Sequence, residues 1–194
     1  MEKVSFTRLQ DGTKEEYAYL YELEEDYCRG VVDRLFAHLR LLDESLSGYQ
    51  VSRLEHSLQG ATRALRAGEE DEMVVAILLH DIGDMLAPHN HQEMAAAILR
   101  PYVSEKTCWI VANHAEFQKF YYADKLGWDK NARDRFKGHP WFDDAVRFCE
   151  LYDENCFDPD YDSLELEAFR PVMELVFSRK AFDPAHLKPM AAAE

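Results

Sequence analysis

Six consecutive apolar residues, Val74-Val75-Ala76-Ile77-Leu78-Leu79, run directly into His80-Asp81-Ile82-Gly83-Asp84. The run is too short to cross a bilayer and fits a helix buried on every side. Its end therefore carries an imidazole and a carboxylate into the interior. Burying a carboxylate alone is costly, so Asp81 needs a cation, a metal or a dense set of donors. A metal ion meets that need with the fewest groups.

The rest of the chain is punctuated as helices. Thr13 followed by Glu16 has the pattern of a capping box, opening a helix through Tyr17, Leu20 and Tyr21. Val31, Val32, Leu35, Phe36, Leu39 and Leu42 recur at helical spacing, and Ser47-Gly48 closes that region. The spacing of Leu54, Leu58, Ala61 and Leu65 predicts a helix over 49–65, with His56 near its apolar face. Gly83 and Pro88 are expected to close the central helix, and Pro101 the Ala-rich one after His91. Ser104 is the expected cap of a helix from Glu105 to about Ala123, carrying His114. Residues 127–140, charged and broken by Gly138 and Pro140, are expected to form a mobile loop over a site. Helices over 141–153 and 164–177 follow. No stretch alternates with period two, so the expected fold is all-α. The expected organisation is an arm and helical extension over 1–48, a main domain over 49–180 and a tail over 181–194.

Charge and cysteine usage restrict the partners. Thirty-seven acidic against 22 basic residues give a formal net charge of -15, which argues against nucleic acid and against an anionic membrane surface. No apolar run has the length of about 18 residues that a membrane span needs. The four cysteines, Cys28, Cys108, Cys149 and Cys156, show no metal or redox spacing, and no signal-like segment opens the chain. A reducing, cytoplasmic setting and a small-molecule substrate are the expectation; the oligomeric state is not read from the sequence.

The residues able to hold a metal in or beside helices are His56, His80, Asp81, His91, His114 and Asp153. Apart from the adjacent pair, each lies on a different expected helix, which is how helical folds assemble a metal site. Imidazole and carboxylate without thiolate favour Fe, Mn, Zn or Ni. Taken singly, each has a plainer reading: a lone His as a satisfied core or surface residue, Asp153 as a helix cap or a partner of Arg147. His89 competes with His91, which is preferred because it opens the Ala-rich helix. His38, His139 and His186 read as surface or loop residues.

The order His56, His80-Asp81, Asp153 resembles the HD-domain superfamily. The strings Arg53-Leu54-Glu55-His56-Ser57-Leu58-Gln59 and Leu78-Leu79-His80-Asp81-Ile82-Gly83 carry the resemblance, which covers roughly residues 49–155. They look most like the mixed-valent diiron oxygenases that include the HD-type phosphonate-degrading enzymes, with myo-inositol oxygenase more distant. The resemblance implies an HD-domain helical bundle around a dinuclear metal centre, two iron ions (Fe2+/Fe3+) and O2 as co-substrate. It implies one iron on His56, His80, Asp81 and Asp153 and a second on Asp81, His91 and His114. Asp81 would then bridge, and Asp81 with His80 would form the catalytic core. The implied reaction is oxidative cleavage at an oxygen-bearing carbon of a small, polar, hydroxylated metabolite, with an organophosphonate or a quaternary amine as candidates. The alternative is an HD-type metal-dependent phosphohydrolase acting on a nucleotide or phosphomonoester; a third reading is a metal-bound sensor without catalysis.

Two departures bear on the substrate. Glu150 stands where the phosphonate branch has an Arg, and Asp84 where a second His is usual. The aromatic group Phe117, Phe120, Tyr121, Tyr122 and Trp128 reads as core and lid packing, or, with Asp84 and Glu150, as a cage for a cationic substrate end. Candidate substrate contacts are Tyr49, Asp84, Gln118, Lys119 and Tyr121, with Tyr49 also a candidate removable metal ligand. Arg53, Arg133, Arg135 and Lys137 are candidate anion binders, though each reads more readily as a solvated surface charge.

Overall fold

Thr13 caps the first helix, α1 (Lys14–Arg29), through a complete capping box: its hydroxyl accepts the Glu16 amide, and the Glu16 carboxylate accepts the Thr13 amide. The computed structural model describes residues 2–187, so the end of the expected tail, 188–194, lies outside the described residues. Gly30 separates α1 from α2 (Val31–Leu41), whose buried residues Val32, Leu35, Phe36 and Leu39 follow the expected stripe. They join one apolar core with Leu58, Ala61, Leu78, Leu79, Phe148, Phe169 and Met173.

The helices that carry the candidate ligands follow. They are α3 (Arg53–Ala67), α4 (Asp71–Leu79), α5 (His91–Leu99), α6 (Glu105–Tyr122) and α7 (Phe142–Tyr152), with α8 (Arg170–Phe177) closing the core. Two boundaries differ from expectation. Ser52 caps α3 by accepting the Glu55 amide, so the helix starts at Arg53 and Tyr49 lies in the loop before it. The α4 helix stops at Leu79, and residues 80–86 form a turn that holds His80 and Asp81. The apolar run behaves as expected, since every residue from Val74 to Leu79 is buried. Among the described residues there is no strand, and no helix is long and apolar enough to cross a membrane.

Three packing features set where the ligands stand. At Gly60 a Cβ would lie 2.4 Å from the Tyr152 carbonyl oxygen and 2.9 Å from Ile77 Cγ2, so only glycine lets α3 approach α7 and α4 this closely. At Gly83 a Cβ would lie 2.7 Å from the His91 carbonyl oxygen, which brings the start of α5 against the turn carrying Asp81. Glu72, buried near the start of α4, accepts from Ser104 Oγ at 2.6 Å and Thr107 Oγ1 at 2.7 Å and pairs with Arg179 Nη1 at 2.8 Å. Burial raises its pKa, but these donors outweigh burial and hold the carboxyl below its ordinary value. One carboxylate thus ties α4, α6 and the segment just after α8.

Residues 127–140 are not an open loop. A 3₁₀ turn (Ala132–Phe136) forms there, the Trp109 and His139 rings stack at 3.9 Å, and Phe136 packs on Phe117 at 5.6 Å. Arg133, expected in solvent, lies over the Phe120 ring at 3.7 Å. The segment is fixed to α6 by aromatic contact.

Candidate metal centre

The fold brings all six candidate ligands together. His56 comes from α3, His80 and Asp81 from the turn after α4, His91 from the first position of α5, His114 from the middle of α6, and Asp153 from the residue after α7. His56, His80, Asp81, His114 and Asp153 are buried, and His91 is partly so. Ligating atoms of His56, His80 and Asp81, of His80, His114 and Asp153, and of Asp81, His91 and His114 each fall within 4.8 Å of one another.

The orientation of the rings shows what this space is suited to hold. His56 Nδ1 faces the Cys156 carbonyl at 3.1 Å, His80 Nδ1 the Ile77 carbonyl at 2.7 Å and His114 Nδ1 the Val111 carbonyl at 2.7 Å. A carbonyl only accepts, so each Nδ1 donates, and in the neutral ring Nε2 carries the bare lone pair. The Nε2 atoms converge, His56 with His80 at 3.2 Å and His114 with His91 Nε2 at 3.3 Å. Asp81 Oδ1 and Asp153 Oδ2 are also buried without a hydrogen-bond partner. Lone pairs facing lone pairs repel unless a cation sits among them. The residues present therefore fit metal ions.

Asp81 divides this space in two. Its Oδ2 lies 3.4 Å from His56 Nε2 and 3.2 Å from His80 Nε2, while its Oδ1 lies 3.2 Å from His91 Nε2 and 3.3 Å from His114 Nε2. Each carboxylate oxygen thus faces a separate pair of imidazoles. Asp153 Oδ1 stands 3.4 Å from His56 Nε2, on the first pair's side, and accepts from Gln118 Nε2 at 2.9 Å.

Electrostatics agree with a cation trap. Burial favours the neutral acid at Asp81, but His80, Arg53 and the close His114 and His56 imidazoles hold its pKa well below the carboxylate range. Asp153 is likewise held down against burial by His56 and His80. At His56 burial opposes the charge, yet the Asp153 and Asp81 carboxylates raise the pKa to about 9. Burial lowers the pKa of His91, with nearby His114 adding to the effect and Asp81 opposing it; His114 is raised by Asp81 in spite of burial.

Around the ligands the structure differs from the sequence reading. Arg53, read as a solvated charge, is buried and pairs with both Asp81 and Asp84, with its Nε 2.6 Å from Asp84 Oδ2. Burial works against its charge, but the two carboxylates raise its pKa. Its place three residues before His56 on α3 puts it on the same helical face, the one sequence signal that pointed to it. Asp84, expected at a cationic substrate end, is already engaged, with one oxygen on Arg53 and the other 3.3 Å from His91 Nδ1. Gln118 is spent on Asp153, and Lys119 pairs with Glu116 at 2.7 Å while keeping about a third of its side chain exposed, 32%. Tyr121 packs against the core and meets the Phe120 ring edge-on at 5.4 Å. Tyr49 is exposed and stacks on Phe157 at 5.0 Å, and Phe157 stacks on His56 at 4.5 Å, forming a column from solvent to the first ligand. His38, read as a surface residue, reaches the Ile82 carbonyl at 3.1 Å and braces the turn that carries Asp81. Neither Phe157 nor His38 has a sequence signal, because both act across long chain separations.

Two comparisons with known proteins bear on this centre. The family model of the HD domain matches residues 53–136. A [1-hydroxy-2-(trimethylamino)ethyl]phosphonate dioxygenase (glycine-betaine-forming) from Leisingera caerulea is 32% identical over 94 residues, 43% of this chain and 48% of that protein. The aligned chain thus spans about half the length of that relative.

Proposed function

We propose, from the match of residues 53–136 to the HD-domain family model, that the chain is a metal-dependent oxygenase. It would use two iron ions (Fe2+/Fe3+) and O2 to cleave a small hydroxylated organophosphonate at the hydroxyl-bearing carbon. The observation that carries the dinuclear part is the division of Asp81, one oxygen toward His56 and His80 and the other toward His91 and His114. The choice of oxygenation and of a phosphonate rests on the resemblance to the dioxygenase named above.

In this reading His56, His80, Asp81 and Asp153 hold one ion, and Asp81, His91 and His114 the other. The ions would supply electrons to O2 and Lewis acidity toward the substrate hydroxyl. The chain's own groups do the positioning. Gln118 fixes the Asp153 carboxylate by donating to Oδ1, and the Cys156, Ile77 and Val111 carbonyls fix three imidazoles in the tautomer that leaves Nε2 free. Phe157 shields His56 from water under the cover of Tyr49. Lys119, at the end of α6 and partly exposed, is the proposed contact for the anionic end of the substrate, with Tyr49 and Tyr121 as further contacts at the rim.

The test is iron-loaded protein, checked for metal content and for the electron paramagnetic resonance signal of a coupled Fe(II)/Fe(III) pair, then given 1-hydroxyphosphonates with and without O2. Phosphate release that requires O2 and consumes it supports the proposal. Phosphate release from nucleotides or phosphomonoesters without O2, activated by Mn or Mg, replaces it with the phosphohydrolase.

A further inference from the structure

We propose that Asp84, held by Arg53, is a positioning residue that sets the tautomer of His91 and so presents its Nε2 lone pair to the ion shared with Asp81 and His114. The inference rests on the dinuclear reading above. It starts from an asymmetry among the four imidazoles. His56, His80 and His114 each have Nδ1 against a backbone carbonyl, which cannot donate and so fixes the proton on Nδ1. His91 opens α5, and no backbone carbonyl serves its Nδ1 among the described residues. What stands there is the Asp84 carboxylate, with Oδ1 at 3.3 Å.

The carboxylate is itself fixed. Arg53 Nε donates to Asp84 Oδ2 at 2.6 Å, and Arg53 Nη2 donates to Asp81 Oδ2. Asp81 Oδ1 in turn lies 3.2 Å from His91 Nε2. One buried guanidinium therefore orients both the carboxylate between the two imidazole pairs and the carboxylate behind His91. The side chain within ion-pair distance of His91 Nδ1 is the Asp84 carboxylate, which accepts and cannot donate, so the proton belongs on Nδ1 and Nε2 is free for a metal. An aspartate in this position does through a side chain what a carbonyl does for the other three rings.

The arrangement makes an unusual demand on the isosteric variant. In Asp84→Asn the Arg53 Nε–H still needs an acceptor, so the amide oxygen turns to Arg53 and the amide NH2 faces His91 Nδ1. His91 must then accept at Nδ1 and carry its proton on Nε2, where the ion belongs. The same reversal explains why an Asp-to-Asn change in a catalytic triad disables a histidine without disturbing the geometry. Asp84→Ala removes the preference without imposing the wrong one.

The experiment is a cobalt(II) titration of the chelator-stripped full chain, followed by visible absorption and calorimetry, with ¹⁵N imidazole spectra of the metal-free proteins. The expected result is two ions in the wild type and, in Asp84→Asn, a loss of about 10–100-fold in affinity for one ion only. Asp84→Ala loses less than Asp84→Asn, and only the Asn variant shows His91 protonated at Nε2. A plain packing role predicts the opposite order, because Asn preserves the shape that Ala deletes. Equal weakening of both ions, an Asn variant milder than Ala, or an Nδ1-protonated His91 in the Asn variant would each overturn the inference. A wild type that takes up one ion refutes the dinuclear reading and this inference together; two ions held unchanged by Asp84→Asn refute the inference alone.

Discussion

Replacing Gly60 by Ala measures how firmly helix packing holds the proposed metal centre. Within an isolated helix the change is favourable by roughly 0.5–1 kcal/mol, because Gly loses more backbone entropy than Ala. In this fold the new Cβ would meet the Tyr152 carbonyl oxygen at 2.4 Å and Ile77 Cγ2 at 2.9 Å. The Ile77 methyl can turn aside, but the carbonyl is backbone. The contact must therefore open to at least 3.0 Å by moving α7 away from α3. Overpacking of this kind costs about 1–3 kcal/mol, so the steric term outweighs the helical gain and the net loss is about 1–2 kcal/mol. For a chain of this size that lowers Tm by about 2–8 °C. The displacement also has a direction. Tyr152 immediately precedes Asp153, and Gly60 lies one turn after His56, so the movement opens the His56–Asp153 approach of 3.4 Å. Metal affinity at that side should fall on the order of tenfold. Denaturant unfolding of the metal-stripped protein gives the first quantity and cobalt titration the second. A Gly60→Ala variant as stable as the parent, or more so, would show that α3 and α7 do not meet as described.

Three further outcomes follow from the same geometry. Asp81→Ala should abolish binding of both proposed ions and all activity, while Arg53 keeps its pairing with Asp84; metal analysis that still finds two ions would refute the proposed bridge. In the metal-free protein the raised pKa of His56, about 9, contributes stability that is complete below its unfolded value near 6.5 and is lost as pH rises through about 9. Metal binding displaces that proton, so affinity should increase over the same interval, as calorimetry in buffers of different ionisation enthalpy would report. Glu72→Ala should destabilise the fold by about 3 kcal/mol, since it leaves Arg179 and the Ser104 and Thr107 hydroxyls without their shared acceptor. The number of ions bound should stay the same, a result that separates scaffold from site.

The helices and the six converging groups were legible because each is announced locally. Thr13 with Glu16 and Ser104 cap helices by contacts three residues long, and the apolar run before His80 can only be buried. What local pattern does not encode is which charge meets which across the fold. Arg53 looked like surface because nothing near it in sequence neutralises it; its carboxylates lie 28 and 31 residues away, in a turn the chain reaches only after α4 has packed. Residues 127–140 looked like a lid for the same reason, since their polar composition conceals that Phe136 and His139 have partners on α6.

These differences have one physical source. A ligand set can be read from residue types because metal chemistry restricts them to a few. The groups that tune the set are ordinary residues, and their role depends on the approach of two backbones. Gly60 and Gly83 are where that approach occurs, at the α3–α7 crossing beside His56 and Asp153 and at the contact between the Asp81 turn and His91. The division of Asp81 between two imidazole pairs is therefore a property of helix packing as much as of the ligands. Variants at those two glycines should disturb opposite halves of the proposed centre while leaving every proposed ligand residue in the sequence.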